Sequence, residues 1–176
     1  MAFPASSHGA EIGIKRCIME QDGQWSKGYN GAEYPVSNDG FNFSMNVTIC
    51  KEMRMAMAHR LPHHDGKCRQ LHGHTYVVRV YVTGEVQAVS EDNPQSGMVV
   101  DFGVVKEFLK SVEGRMDHQF GNETMDAYPT AERLALAIAV MASHDLQPHL
   151  PPGARVSRVR VYEEYVAPQA FAEIEL

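Results

Sequence analysis

Two stretches of alternating residues, separated by one polar loop, set the first limit on the fold. From Met53 the chain reads MRMAMAH: Met53, Met55, Met57 and His59 share one parity, and Arg54, Ala56 and Ala58 the other. A period of two marks a strand with one face turned to a core. From His72 it reads HGHTYVVRVYVT, rich in the valine, tyrosine and threonine that suit a pleated surface. The intervening LPHHDGKCRQLHG has the composition of a loop. The first strand is expected from Met45 to Ala58, bent near Lys51-Glu52, and the second from His72 to Thr83. Paired as a long-loop hairpin, they bring the loop ends together.

The rest of the chain supplies the partners. Gly97-Met98-Val99-Val100 leads through Asp101-Phe102 into a helix whose apolar stripe is Val105, Phe108, Leu109, Val112 and Met116. A second helix is expected to start near Pro129-Thr130, with Leu134, Ala137, Ile138 and Met141 on one face. Thr130 suits its N-cap, and Glu132 suits its first turn. HDLQPHLPPG ends that helix, and VSRVRVY and AFAEIEL alternate again. The order strand, strand, helix, helix, strand, strand is an α+β layout, not a parallel doubly wound one. It predicts an antiparallel four-stranded sheet with two helices on one face. Its open edges invite edge-to-edge assembly into a barrel.

A chain of 176 residues suits one domain. Its net charge of −6 argues against a general nucleic-acid binder, though local cations can still meet an anion. No stretch is apolar for long enough to cross a bilayer as a helix, and the first residues lack the basic-then-apolar pattern of a secretory leader. Cys17, Cys50 and Cys68 are an odd, widely spaced set, which predicts no disulfide framework and a reducing, cytoplasmic setting. Cys17 and Cys50 are expected to be small buried hydrophobes. Residues 1–43 differ from the rest: they are rich in Gly, Ser and Asn and show no period. Trp25, Tyr29, Tyr34, Phe41 and Phe43 are too many aromatics for a free tail. The segment is expected to be an extension packed on the 44–176 domain or on a neighbouring subunit.

The chemistry concentrates at the loop ends. His72 and His74 leave one face of their strand, and Gly73 between them adds no bulk. His59 ends the paired strand, so three imidazoles converge. Three neutral histidines suit Zn²⁺ with an open fourth position. A closed structural site is the alternative, with Cys68, His63 or His64 as fourth ligand. Lys67 and Arg69 flank Cys68 and favour its thiolate, which could act as nucleophile or base. By spacing alone, Asp117-His118 reads as a helix end, and Glu163 as a solvated strand end.

Taken in order, AHRL at 58–61, KCRQLHGH at 67–74, GMVVDF at 97–102, DH at 117–118, PTAE at 129–132 and VYEE at 161–164 make the chain resemble the 6-pyruvoyl- and 6-carboxy-tetrahydropterin synthase family. The resemblance implies a tunnelling fold, in which trimers join their sheets into a barrel and two trimers stack as a homohexamer. It implies His59, His72 and His74 as zinc ligands and Cys68 as the catalytic thiol. Asp117 and His118 would be its proton relay, and Glu163 the acid that anchors a pterin ring. Thr130 falls where the family contacts the pterin. The implied substrate is 7,8-dihydroneopterin triphosphate, with Lys67, Arg69 and Arg60 as nearby cations. The CxxLHGH form resembles the carboxy-forming enzymes of queuosine and 7-deazaguanine biosynthesis. A pyruvoyl product, sepiapterin side-chain cleavage, and a non-catalytic zinc-stabilised pterin-binding module are the alternatives. The chain departs from the family at DHQFGNE, where Gly121 replaces the usual Leu-Asn pattern, and over residues 1–43.

Overall fold

The computed structural model describes residues 46–176 apart from 89, 126, 127, 167 and 168. The expectations for residues 1–43, for Met45 and for Cys17 lie outside the described residues.

Both alternating stretches form the long strands of one hairpin. β1 spans Asn46–His59 and β2 spans His72–Glu85. They pair antiparallel without a break from Asn46↔Glu85 to His59↔His72. The register runs straight through Lys51 and Glu52, where a bend was expected. Helix α1, Phe102–Met116, starts on Asp101, whose carboxylate accepts from the Gly103 amide. After α1 come β3, Gln119–Phe120, and the single turn α2, Gly121–Thr124. Helix α3 is Ala131–Asp145, capped by Thr130 through the Arg133 amide. Strands β4, Arg155–Glu164, and β5, Ala170–Glu175, complete the described chain.

Among the described residues, five strands form one sheet in the order β3-β1-β2-β4-β5. This corrects the expected four-stranded antiparallel sheet. Two residues of β3 pair parallel with Met57 and Ala58 of β1 and make the sheet mixed. A two-residue strand carries no period to read, so only the docking of the α1–α2 turn reveals it.

One face of the sheet is apolar and covered by the helices. Met55, Tyr76, Val78, Val80, Val82, Val159 and Val161 pack there against Val105, Phe108, Leu109, Val112 and Met116 of α1. From α3 they meet Leu134, Ala135, Ile138, Ala139 and Ala142. The expected α3 face needs one correction. Ala137 and Met141 pack only partly on the core, and the buried stripe runs instead through Ala131, Ala135, Ala139 and Ala142. Small side chains let the helix seat close to the sheet, where larger ones at those positions would hold it off. The other face is polar, and Cys50 lies on it exposed rather than buried, beside Tyr81. The alternation places Cys50 opposite in parity to Met53 and Met55, and burial follows that parity rather than residue type.

Gly84 shows how closely the sheet end is packed. A Cβ there would lie 2.9 Å from both Cα and Cβ of Ala154 and 3.3 Å from Val99. Gly84→Ala is therefore expected to destabilise the protein by about 1–3 kcal/mol through overpacking. A denaturant midpoint equal to the parent's would contradict this.

Candidate active site

The hairpin closes its loop on three imidazoles. His59 ends β1 and pairs across the strands with His72, the first residue of β2, while Met57 pairs with His74. Parity puts all three rings on the helix-covered face. His59 is buried, and His72 and His74 are half-buried. One ring nitrogen from each lies within 4.8 Å of the others.

Backbone carbonyls orient two of these rings. His59 Nδ1 lies 2.7 Å from the Pro129 carbonyl oxygen, and His72 Nδ1 lies 2.8 Å from that of Gln70. A carbonyl only accepts, so each Nδ1 donates and each Nε2 presents a lone pair. The two Nε2 atoms face each other at 3.0 Å. Lone pairs at that range repel unless a cation lies against both. Two nitrogens each about 2.0–2.1 Å from one tetrahedral ion lie about 3.3 Å apart, which is close to this arrangement. The donor set fits a divalent metal, with Pro129 and Gln70 as the outer partners that fix the rings. Burial pulls the His74 pKa down, against the Glu163 carboxylate, which pulls it up. The net direction favours the neutral ring a metal needs.

Cys68, His63 and His64 lie outside this group. His63 stacks on the Tyr128 ring, and His64 Nδ1 accepts from the Gly66 amide. Cys68 sits in a 3₁₀ turn, Lys67–Arg69, half-buried between two exposed cations. The turn is pinned by the Leu61 amide, which donates to the Cys68 carbonyl at 2.8 Å. Cys68 lies near the Tyr76 phenol.

Glu163 enters the same space from β4. Its Oε1 lies 3.6 Å from His59 Nε2 and 3.7 Å from His74 Nε2. The Tyr76 hydroxyl donates to this oxygen at 3.3 Å. Burial, followed by the Glu163 charge, pushes the Tyr76 pKa well up, so the phenol keeps its proton as a donor. Tyr76 is a site residue the sequence reading passed over. The signal was present: His72, His74 and Tyr76 follow one another at a spacing of two on one face.

Asp117 and His118 are held elsewhere. The Ala56 amide donates to Asp117 Oδ1 at 2.7 Å, and the His118 amide donates to the Ala56 carbonyl. His118 Nδ1 donates to Asp117 Oδ2 at 2.7 Å, while the ring is 81% exposed. These bonds, that from Ala56 first, hold the Asp117 carboxyl below its ordinary pKa. His118 has φ of 57°, a left-handed conformation uncommon outside glycine. Among the described residues, neither side chain bonds to the three histidines or to Cys68. The structure brings the histidines and Glu163 together; it leaves the Asp117–His118 pair on the β1 edge.

Thr130 is spent on its cap, and its hydroxyl also holds the Glu132 carboxyl below its ordinary pKa. The DHQFGNE segment packs beside the histidines. A Cβ on Gly121 would come within 3.1–3.2 Å of Met57 and Pro129, so the glycine lets the turn lie against the residue whose carbonyl orients His59. Asn122 then grips both backbone groups of Arg60, accepting from its amide at 2.9 Å and donating to its carbonyl at 2.8 Å.

Known proteins are similar to this chain in sequence and fold. The family profile described as 6-pyruvoyl tetrahydropterin synthase matches residues 48–175. A protein of Synechocystis sp. named 6-carboxy-5,6,7,8-tetrahydropterin synthase is 42% identical over 89 residues, covering 49% of this chain and 67% of its own. A protein of the same name from Rickettsia felis is 30% identical over 150 residues, covering 73% and 99%. The solved 6-pyruvoyl tetrahydropterin synthase of Caenorhabditis elegans superposes with a TM-score of 0.59 at 25% identity, covering 76% of this chain and 99% of its own.

Proposed function

Because the chain belongs to the 6-pyruvoyl tetrahydropterin synthase family, we propose that it converts 7,8-dihydroneopterin triphosphate to 6-carboxy-5,6,7,8-tetrahydropterin. Triphosphate and acetaldehyde leave, and one water is taken up. The product would serve queuosine and 7-deazaguanine synthesis in the cytoplasm. The observation that carries the reading is the seat of Glu163, with its carboxylate within 3.7 Å of two of the three converging imidazoles. A pterin ring held there would hang its side chain at those imidazoles.

Each residue then has a task. Glu163 accepts parallel hydrogen bonds from the ring's amino group and adjacent N–H. His59, His72 and His74 would hold Zn²⁺, which when bound supplies a Lewis acid for the side-chain hydroxyls. Cys68 takes and returns protons at the side-chain carbons. Thr130, at the head of α3, borders the ring. Asp117 accepts from His118 Nδ1 and keeps that imidazole oriented. The pair is bound to the β1 edge of its own chain, and in a homohexamer it would serve the site of a neighbouring copy. Lys67, Arg69 and Arg60 lie around the loop and would meet the triphosphate.

Similarity to the Caenorhabditis elegans protein supports a second reading, in which the product keeps the whole side chain as 6-pyruvoyl-tetrahydropterin. Mass analysis of the product separates the two. The expected result is 6-carboxy-tetrahydropterin with one acetaldehyde per turnover and about one zinc per chain. A pyruvoyl product without acetaldehyde selects the second reading. Substrate left unconsumed by zinc-loaded protein defeats both.

A further inference from the structure

Glu163 keeps the parity of Val159 and Val161 and so faces the helices, and a local irregularity in the strand falls on the same residue. In the β4–β5 pairing Tyr162 faces Phe171 and Glu164 faces Ala170, so Glu163 is the extra residue of a bulge. The bulge reverses the parity of the residues beyond it. Residues three apart on a regular strand leave opposite faces, yet the Tyr162 and Tyr165 rings meet edge to face at 5.2 Å on the polar face. Glu163, between them, points through to the helix-covered face and the histidines.

One side chain clips both tyrosines. Arg79 Nη1 donates to the Tyr162 hydroxyl and Nη2 to the Tyr165 hydroxyl, each at 2.9 Å. Its Nε donates to Glu52 at 2.8 Å, which fixes the plane of the fork. The guanidinium also lies over both rings, 5.0 Å and 5.4 Å from their centroids. Arg54 covers the Tyr165 ring from a further strand position at 5.5 Å. No other side chain type reaches both hydroxyls and a carboxylate from one rigid plane.

We infer that Arg79 is a positioning residue for Glu163, acting from the opposite face of the sheet: its fork locks the tyrosines on either side of the bulged residue and so steadies the backbone that carries the carboxylate. The inference rests on the proposed reading of Glu163 as the pterin anchor. Arg79 touches neither substrate nor histidines, so its loss should weaken substrate binding while leaving the chemical step intact.

Tyr165→Phe removes one hydroxyl from the clip, and Arg79→Lys keeps the charge beside Glu52 while losing the fork. Both are compared with the parent as zinc-loaded full chains, by steady-state kinetics with dihydroneopterin triphosphate and by amide hydrogen exchange. The expected KM rises about tenfold in Tyr165→Phe, from the loss of one oriented charge-assisted hydrogen bond, and at least as far in Arg79→Lys, which loses the pair, with kcat within about twofold in both. Exchange in the peptide spanning 161–166 speeds up, while α1 peptides keep the parent's rates. A folded Tyr165→Phe protein whose KM stays within twofold of the parent's overturns the inference, whatever its exchange. A parent without pterin turnover removes the reading of function instead. Exchange then decides alone, and parent-like rates at 161–166 overturn the clip.

Discussion

Replacing His59 with alanine is expected to remove both the metal and the activity, and to leave a less stable protein. His59 is 1% exposed and is the most deeply buried of the three rings. Its Nδ1–H satisfies the carbonyl of Pro129, just ahead of α3, and its Nε2 faces that of His72. Alanine deletes one of the three proposed ligands and leaves a buried carbonyl without its donor, at a cost of about 1–3 kcal/mol. The cavity left by the ring adds to that loss. Two remaining imidazoles do not make a closed binding set, so metal content should fall below about one-tenth of the parent's. Turnover should fall with it. Elemental analysis and a denaturant melt check the two halves separately. A His59→Ala protein that keeps one zinc per chain would mean that His72 and His74 bind it with other groups.

Cys68→Ala separates chemistry from architecture. The thiol lies in a 3₁₀ turn held by its own backbone, through the Cys68 carbonyl and the Leu61 amide, and alanine keeps that bond. The residue is half-buried and outside the metal-holding group, so stability should change by less than about 0.5 kcal/mol. Metal content should match the parent's. Turnover should fall by about 10²–10⁴, the usual range for a lost proton-transfer group, with substrate binding retained in a fluorescence titration. If zinc disappears together with turnover, Cys68 is a ligand and the site is of the closed, four-ligand type. If turnover survives, proton transfer belongs to another group, and Tyr76, with its hydroxyl at Glu163, is the first to test.

The two variants probe different layers of the same loop. His59 belongs to the sheet, where pairing fixes the ring to within the register of one residue; a slip by one position would turn it to the polar face. Cys68 belongs to the connection, whose shape depends on a turn and on the grip of Asn122 on Arg60.

Much of this site was legible in the chain because its geometry is local or parity-driven. HGH on a strand fixes two rings on one face. The alternation ending in MAMAH adds the third, once the hairpin is drawn. The α1 stripe was read in full, since five large apolar residues at helical spacing leave one solution. The α3 stripe was half read. Alanines carry little hydrophobic weight, so Ala135, Ala139 and Ala142 did not announce that they would be buried. Cys50 was misjudged because residue type was weighed above parity.

Other features depend on groups far apart in sequence. The Pro129 carbonyl meets His59 across 70 residues, and Tyr76 meets Glu163 across 87. Neither contact leaves a pattern in the chain, because each is fixed by how α3 and β4 seat against the first hairpin. The same holds for β3, which exists only because Asp117 and His118 dock on the edge of β1.

From the sequence alone came the α+β class, the faces of the long strands and of α1, and the identity of the histidines, since periodicity and pairing are short-range consequences of backbone geometry. The tertiary structure decided which groups Glu163 meets, the tautomers of His59 and His72, and the separation of Asp117–His118 from the site of its own chain. Each of those turns on a ring, a carbonyl or an edge supplied by another element, and a hydrogen bond has direction that composition and spacing do not carry.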